Sequence, residues 1–306
     1  MGPARLLDRL GPEIEDPEEE TFLLFSREIP SQNLGFVDAR ATELDLSICG
    51  KDYVITQSPA VLTSNREGGT TGAVVWKITP LVADYLASPD NVLRQSDFLS
   101  PDSVVIELGC GVSGLIGLVV GPTVRRYVLT DQPYVSRFVE KNLSENEGVL
   151  HPKGPKRKKG KPLTTHMSKN VAFEALDWEQ DEVTPSLTGL ESVRSFDAVI
   201  ACDCIYNEAL IAPLVSTCVD VCKLRQRNLE DSGATRGDGE GISNFTAPTL
   251  CIVGQQLRDP EIFEGWIKEF HRHFHTWRIP DDALSASLRT SPGFVLHCGL
   301  LRGSLT

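Results

Sequence analysis

The pattern of apolar and polar residues changes near residue 100. From there on, short apolar runs of strand length alternate with segments whose apolar residues recur at helical spacing. The pattern predicts strands at 103–108, 125–130, 169–176, 196–202, 249–254 and 294–300, and helices at 115–120, 134–146, 208–224 and 260–274. Strands that alternate with helices are typical of βαβ units. We therefore predict an α/β fold with a doubly wound, largely parallel sheet and helices on both faces.

The first hundred residues follow a different pattern. Residues 1–35 show little periodicity, and the first twenty of them hold seven acidic side chains against two arginines, so we expect an acidic, partly disordered lead-in. Two β-rich runs around a glycine-containing turn predict a hairpin within an N-terminal β extension, 36–72. The main domain then spans 73–306. Two segments of loop composition interrupt it, a basic one at 151–163 and a Gly/Asp/Ser-rich one at 228–248.

Composition and charge narrow the class of protein. The 306 residues are 41% hydrophobic and 24% charged, and the net charge of −12 argues against a broad electrostatic grip on nucleic acid. No run reaches the ~18 consecutive apolar residues that a membrane span needs. The acidic N-terminus lacks the features of a secretory signal, so we expect a cytoplasmic protein with reduced cysteines. Cys218 and Cys222 have no second pair at ligand spacing, and we expect no metal site.

The strongest chemical signal stands where the strand at 103–108 ends. Gly109 and Gly111 follow it, which lets the backbone turn tightly and approach a ligand before the next helix begins. Asp131 ends the following strand, where a carboxylate can accept hydrogen bonds from the hydroxyl groups of a ribose. This order predicts a site for a nucleoside cofactor. A tight strand-to-helix turn without a ligand is the alternative.

Two cofactors fit such a site. Together with Gly114, the glycines spell the GxGxxG fingerprint of a nicotinamide-dependent oxidoreductase. Glu107, however, lies two residues before the first glycine. A carboxylate is unfavourable beside a diphosphate and favourable beside a sulfonium and an α-amino group, because opposite charges attract most strongly where water is excluded. Glu107 therefore favours S-adenosylmethionine over a nicotinamide cofactor.

Further aromatic and acidic residues follow the third and fourth predicted strands. Trp178 comes after the third, where an indole face can stack on adenine; a tryptophan that caps the core is the alternative. Asp203 directly follows the apolar run that ends at Cys202. Open α/β sheets bind ligands beyond these strand ends, and a carboxylate is costly to bury there without a partner. An N-cap of the helix that starts near residue 208 is the alternative for Asp203.

The order of these residues resembles a known enzyme family. The chain has Trp76 before the sheet, ELGCG at 107–111, Asp131, LDW at 176–178 and DCIY at 203–206. In this it resembles the seven-stranded lysine methyltransferases called methyltransferase family 16, most of all the fungal ribosomal lysine N-methyltransferase 5 group. The resemblance covers residues 40–300. It implies a seven-stranded, Rossmann-like class I methyltransferase sheet and S-adenosyl-L-methionine as the cofactor.

The resemblance also implies a role for each site residue. Asp203 and Tyr206 are then catalytic: Asp203 attracts and orients the incoming lysine ammonium, and Tyr206 forms a wall of the lysine channel. The family often has Ala or Ser where Cys202 stands, and its glycine loop commonly runs GxGxG, whereas Ser113 precedes the third glycine here. The cofactor-binding residues are Trp76, Gly109, Cys110, Gly111, Asp131, Trp178 and Cys202, to which the charge of Glu107 adds an eighth.

The acidic chain suits a basic protein substrate, such as a ribosomal or other translation-machinery protein, and we expect a monomer. A methyltransferase of RNA or of a small molecule is an alternative, although 203–206 lacks the amide-bearing NPPY element that favours base amino groups. A non-catalytic cofactor-binding module is another. The basic residues 153–161 leave three interpretations: a solvated loop, a contact to RNA, or nuclear entry through Lys156–Lys159.

Overall fold

A computed structural model describes residues 2–31, 35–64, 70–150, 170–231 and 247–304. Within these ranges seven strands form one sheet, and two more form a separate hairpin. The strands are β1 (Glu43–Ile48), β2 (Lys51–Thr56), β3 (Val104–Leu108), β4 (Arg126–Asp131), β5 (Val171–Ala175), β6 (Ala198–Cys202), β7 (Leu250–Gln256), β8 (Phe274–Arg278) and β9 (Phe294–Leu301). The helices are α1 (Gly2–Leu7), α2 (Pro17–Phe25), α3 (Pro59–Leu62), α4 (Ile78–Ala87), α5 (Val92–Gln95), α6 (Leu115–Val120), α7 (Ser136–Glu145), α8 (Glu147–Leu150), α9 (Ile211–Asp231) and α10 (Pro260–His273).

The large sheet has the strand order β5-β4-β3-β6-β7-β9-β8. The first five strands in this order, β5, β4, β3, β6 and β7, are parallel to one another. Strand β9 pairs antiparallel with both β7 and β8. Every residue of β3, β6 and β7 is buried, which is typical of strands covered by helices on both faces. Helices α4, α6 and α7 pack on one face, and α9 and α10 on the other. The predicted doubly wound, seven-stranded α/β sheet is therefore confirmed.

Strand β8 lies where the sequence predicts the end of a helix. The predicted helix runs to residue 274, but α10 ends at His273 because the backbone at Phe274 is extended (φ −119°, ψ 142°). From there β8 pairs with β9, with Phe274 opposite Leu301, and forms the edge of the sheet. Its five residues, FHTWR, contain no apolar run, and its partner strand comes later in the chain. Local spacing therefore missed the seventh strand.

The acidic lead-in contains two helices, α1 and α2, although its sequence shows little periodicity. Glu20 of α2 is buried, and its Oε1 lies 2.9 Å from Nε2 of the buried His297 and 3.3 Å from Nη1 of Arg278. Glu18 makes a further ion pair with Lys268 (2.7 Å). Acidic side chains of α2 thus contact basic side chains of α10, β8 and β9. These partners are far ahead in the sequence, so a local pattern does not reveal that α2 packs against them.

The predicted hairpin is present as β1 and β2. Cys49 and Gly50 join its strands with positive φ values of 50° and 70°, which suit a two-residue turn between twisted strands. Asn142 of α7 holds the hairpin against the main sheet: its Oδ1 accepts a hydrogen bond from the N–H of Thr56 (2.7 Å), and its Nδ2 donates to the Thr56 carbonyl (2.9 Å). The hairpin therefore packs directly against the domain that holds the large sheet.

The two predicted insertions are only partly described. The basic segment 151–163, including Lys156–Lys159, lies outside the described residues. Of the segment 228–248, the first residues continue α9 as far as Asp231. None of the described helices is long and apolar enough to cross a membrane. The division of the chain into lead-in, β extension and main domain stays a prediction.

Candidate active site

A cleft lies at the carboxyl ends of strands β3, β4, β5 and β6. This is the edge at which open α/β sheets bind ligands. The structure brings all ten predicted site residues to it: Trp76, Glu107, Gly109, Cys110, Gly111, Asp131, Trp178, Cys202, Asp203 and Tyr206 line the cleft. Their individual roles stay predictions, but their assembly at one place does not depend on those roles.

The glycine turn after β3 leaves no room for side chains. Gly109 and Gly111 have φ values of +72° and +60°, in the left-handed region that glycine adopts most readily. A Cβ atom on Gly109 would lie 2.7 Å from Cys204 Sγ, and one on Gly111 would lie 2.9 Å from the carbonyl oxygen of Gly72. That same carbonyl accepts a hydrogen bond from the N–H of Val112 (2.7 Å). The turn thus packs closely under the segment that precedes Trp76, a contact the sequence did not reveal.

Asp131 at the end of β4 faces the glycine turn. Its Oδ2 accepts a hydrogen bond from the N–H of Gly111 (2.8 Å), and its Oδ1 accepts one from the N–H of Gln132 (2.7 Å). Burial raises the pKa of this carboxyl to about 6. Each oxygen accepts one bond and can accept another, which fits the two adjacent hydroxyl groups of a ribose.

Glu107 lies in the floor of the cleft and is 2% exposed. Its Oε2 accepts a hydrogen bond from the phenol of Tyr127 (2.7 Å), which is itself fully buried. Burial raises the pKa of Glu107 to about 8, although the Tyr127 hydrogen bond works in the opposite direction. At neutral pH the carboxyl therefore carries a proton in most molecules until a cation approaches it.

Two tryptophans line the cleft. Trp76 Nε1 donates a hydrogen bond to the carbonyl of Thr71 (3.1 Å), and the ring lies against Phe36 (4.5 Å between centroids). Trp178 has its ring 3.2 Å from the position of a Cβ on Gly109, and its buried Nε1 has no partner within the described residues. A buried N–H without an acceptor is costly. Trp178 thus offers both a flat face and a free donor to a ligand such as adenine.

Asp203 is held in place through both its backbone and its side chain. Its backbone is left-handed (φ +58°), its N–H donates to the carbonyl of Gly254 (2.7 Å), and its carboxylate is 2% exposed. Arg258 donates to both carboxylate oxygens, from Nη1 to Oδ1 (2.8 Å) and from Nη2 to Oδ2 (2.6 Å). The N-cap alternative fails, since Asn207 caps the following turn by accepting from the N–H of Ala209 (3.1 Å).

Arg258 was not among the predicted site residues. It lies two residues beyond the end of β7, and β7 neighbours β6 in the sheet, so the topology brings it to Asp203. The only sequence signal is a cation shortly after a predicted strand, which many surface arginines share. We predicted from the sequence that Asp203 attracts and orients the incoming lysine ammonium. The structure shows that this carboxylate is already paired with Arg258.

The remaining predicted residues form the walls. Tyr206 is 39% exposed at the rim, where a large aromatic side chain is free to contact a second molecule. Cys110 and Cys202 are buried, and burial raises the pKa of both thiols well above the usual range. They are therefore neutral walls rather than nucleophiles.

The charge of the cleft favours one of the two candidate cofactors, S-adenosylmethionine, over a nicotinamide cofactor. Five carboxyl side chains line it, and no lysine, arginine or histidine is among the described lining residues. Asp203 is paired with Arg258, and Glu107 carries a proton in most molecules at neutral pH. Asp131 would still repel a diphosphate, whereas Glu107 can ionise beside a sulfonium and an α-amino group. Asp131, Trp178 and Glu107 would hold the ribose, the adenine and the cationic end of S-adenosylmethionine. In the described residues, no three His, Cys, Asp or Glu side chains are placed to hold a metal ion.

Comparison with known proteins identifies the family. A model of the lysine methyltransferase family matches residues 56–229. The chain is 27% identical over 265 residues to a diaminohydroxyphosphoribosylamino-pyrimidine deaminase of Schizosaccharomyces pombe, covering 85% of this chain and 52% of that protein. It is 29% identical over 242 residues to ribosomal lysine N-methyltransferase 5 of Zygosaccharomyces rouxii, covering 71% of this chain and 70% of that one. The chain thus spans about half the length of the fission-yeast relative.

Among solved structures, the Pyrococcus abyssi tRNA (uracil-54, C5)-methyltransferase in complex with S-adenosyl-L-homocysteine matches with a TM-score of 0.37 and 13% identity, over 85% of this chain and 45% of that one. A likeness this distant carries no argument about function. The family match, in contrast, covers more than half of the chain and includes all ten predicted site residues. It confirms the resemblance drawn from the motifs. The chain belongs to the lysine methyltransferase family, whose cofactor is S-adenosylmethionine.

Proposed function

We propose that the protein is an S-adenosylmethionine-dependent N-methyltransferase that acts on a lysine side chain of a ribosomal or other translation-machinery protein. The observation that carries the proposal is the cleft itself. It is lined by five carboxyl groups and by no basic side chain among the described residues, and Asp203 and Tyr206 lie just beyond β6. Arg258 pairs with Asp203 but is not part of this lining. This set of residues suits two cationic ligands, a sulfonium cofactor and a lysine.

Methyl transfer to lysine needs the neutral amine, because the ammonium ion has no lone pair. A free lysine has a pKa of about 10.4, so only about one in a thousand is neutral at neutral pH. Bound S-adenosylmethionine supplies an activated methyl group on a sulfonium, and a nearby cation favours the neutral amine. The protein residues then have to hold that amine in line with the methyl group.

Two residues just beyond β6 perform this orientation. Asp203 accepts an N–H of the amine, and Tyr206 closes one side of the channel by contact of its ring with the lysine side chain. The new nitrogen–carbon bond would form as the carbon–sulfur bond of the sulfonium breaks and the thioether leaves. The proton of the resulting methylammonium then passes to water at the rim, where Tyr206 is exposed. Most of the rate then comes from placing the amine in line, since correct placement converts a bimolecular reaction into an effectively unimolecular one.

The substrate class rests on charge and on the relatives. Several similar fungal proteins are ribosomal lysine N-methyltransferases by name. The net charge of −12 favours encounter with a basic protein, even though the acids of α2 are partly neutralised within the fold. The monomeric state, the cytoplasmic location, RNA contact through 153–161 and nuclear entry through Lys156–Lys159 stay predictions. Deletion of 152–162, followed by imaging and ribosome co-sedimentation, tests the roles of the basic segment.

Transfer of a labelled methyl group tests the proposal. Purified protein is incubated with labelled S-adenosylmethionine and with either ribosomes or ribosome-free extract. Both are prepared from cells that lack the protein, so that its target is not already methylated. We expect label in a band that protease removes and nuclease does not. Asp203→Ala should abolish transfer and leave the cofactor Kd nearly unchanged, whereas Asp220→Ala, an exposed acid paired with Lys223 on α9, should transfer as the wild type does. Full transfer by Asp203→Ala would overturn the assignment of Asp203, and label in RNA would favour the alternative function.

A further inference from the structure

Arg258 gives Asp203 a different role from that of a free carboxylate. We propose that Arg258 is a positioning residue of the methyl-transfer site: it fixes the Asp203 carboxylate and balances its charge, so that Asp203 orients the target lysine without holding it as an ammonium ion. The inference rests on the proposed function, because it assumes that a lysine amine approaches Asp203.

Contacts on several sides hold the guanidinium of Arg258 in place. Besides its two bonds to Asp203, Nη2 donates to Oε1 of Gln256 (2.8 Å). The guanidinium carbon lies 4.7 Å from the centroid of the Trp76 ring, as in a cation–π contact. The backbone of Gly35 passes so close that a Cβ there would overlap Gln256 Oε1 and lie 2.5 Å from Arg258 Nη2. A side chain held by this many partners is a fixed part of the site.

The hydrogen bonds of the Asp203 carboxylate leave one position for a substrate. Oδ1 accepts from Arg258 Nη1 and from the N–H of Gln256 (3.2 Å), which fills both of its lone pairs. Oδ2 accepts from Arg258 Nη2 alone among the described residues. A carboxylate oxygen takes two such bonds, so one acceptor position on Oδ2 remains. An amine N–H of the substrate can donate to that position.

The charge balance decides which form of the lysine this position favours. A lone buried carboxylate stabilises an ammonium ion beside it and raises the pKa of the amine, which opposes methyl transfer. A carboxylate paired with a guanidinium has almost no net charge, so it accepts a hydrogen bond from a neutral amine without favouring its protonation. Arg258 suits this task because the planar fork of its guanidinium matches the two oxygens of a carboxylate.

Substitution of Arg258 separates this role from a merely structural one. Arg258→Gln keeps hydrogen-bonding capacity but leaves the charge of Asp203 unbalanced. The substrate is the protein that becomes labelled in the transfer assay. We expect kcat to fall about tenfold or more while the KM for this protein does not rise. The reason is that the unpaired carboxylate of Asp203 binds the lysine as an ammonium ion, which does not react. Arg258→Lys should restore part of kcat, since it returns the charge without the fork. Arg272→Gln, at an exposed arginine of α10, is the matched control.

The double variant Asp203→Asn/Arg258→Gln gives the sharpest readout. It removes both charges, so we expect its kcat to exceed that of Arg258→Gln alone. Calorimetry with S-adenosylhomocysteine and thermal unfolding check that each variant binds the cofactor product and folds. Wild-type kcat in Arg258→Gln would overturn the inference. The inference would also be overturned if Arg258→Gln lost kcat, substrate affinity, product binding and stability together, and if neither Arg258→Lys nor the double variant restored any of them. An inactive wild-type protein would instead overturn the proposed function, and this inference with it.

Discussion

Cofactor binding should release a proton from Glu107. This carboxyl is buried in the floor of the cleft, accepts a hydrogen bond from Tyr127 and has its pKa raised to about 8 by burial. A cationic ligand above it favours the ionised form, because removing the proton creates an opposite charge in a site that excludes water. The proton that Glu107 holds in the cofactor-free protein must then leave as S-adenosylmethionine binds.

The size of the effect follows from the pKa. With a pKa of about 8, Glu107 is ~90% protonated at pH 7, so each binding event at that pH should release about 0.9 proton. Between pH 6.5 and 7.5 the linked deprotonation should tighten the apparent affinity about eightfold. Asp131, with its pKa raised to about 6, is mostly ionised across this range and changes the affinity by less than about twofold.

Isothermal titration calorimetry measures the released proton directly. S-Adenosylmethionine is titrated into the protein at pH 7 in phosphate and in Tris, whose ionisation enthalpies differ widely. The slope of the observed enthalpy against the ionisation enthalpy of the buffer gives the number of protons. Glu107→Gln should bring that number close to zero and flatten the pH dependence of Kd. Glu140→Gln, which removes an exposed carboxylate on α7, should behave as the wild type does.

A binding enthalpy that is the same in both buffers would refute the reasoning for the wild-type protein. An unchanged proton release in Glu107→Gln would refute it for this residue and assign the proton to another group of the cleft.

Two further predictions concern stability and the shape of the site. The pKa of Glu20 lies below its usual 4.5. Burial raises this pKa, but the hydrogen bond and charge of His297 and the charge of Arg278 lower it by more. Glu20 therefore stabilises the fold fully above pH 4.5, and this stabilisation is lost as the pH falls through the lowered pKa of Glu20. In urea denaturation at pH 7, Glu20→Gln should lower the free energy of unfolding by about 3 kcal/mol. Gly111→Ala should weaken binding of S-adenosylmethionine at least about tenfold by calorimetry, because its methyl group would lie 2.9 Å from the carbonyl of Gly72 in a left-handed backbone; wild-type affinity would contradict this.

We could predict which residues line the site because the reactive side chains lie close to the ends of strands. Glu107, Asp131, Trp178 and Asp203 lie at or just beyond the ends of apolar runs, and the carboxyl ends of parallel strands meet at one edge of a sheet. The order of strands and helices therefore sufficed to place these residues together. No detail of side-chain packing was needed for that step.

The partners of those residues were not predictable from the chain alone. Arg258 meets Asp203 from 55 residues away, and Glu20 meets His297 from 277 residues away. Both contacts depend on which strands are neighbours and on how a helix packs, and neither leaves a periodic trace in the sequence. The same holds for β8, a short strand that is specified by its pairing with β9 rather than by its own apolar pattern.

The most direct test of the central claim is the chemical identity of the methylated product. After transfer from labelled S-adenosylmethionine to ribosomes or extract, the labelled material is hydrolysed completely and its components are separated. The proposed function predicts label in N-methylated lysine, present with the wild-type protein and absent with Asp203→Ala. Label in a nucleoside or in a small molecule, or no label in any fraction, would contradict it.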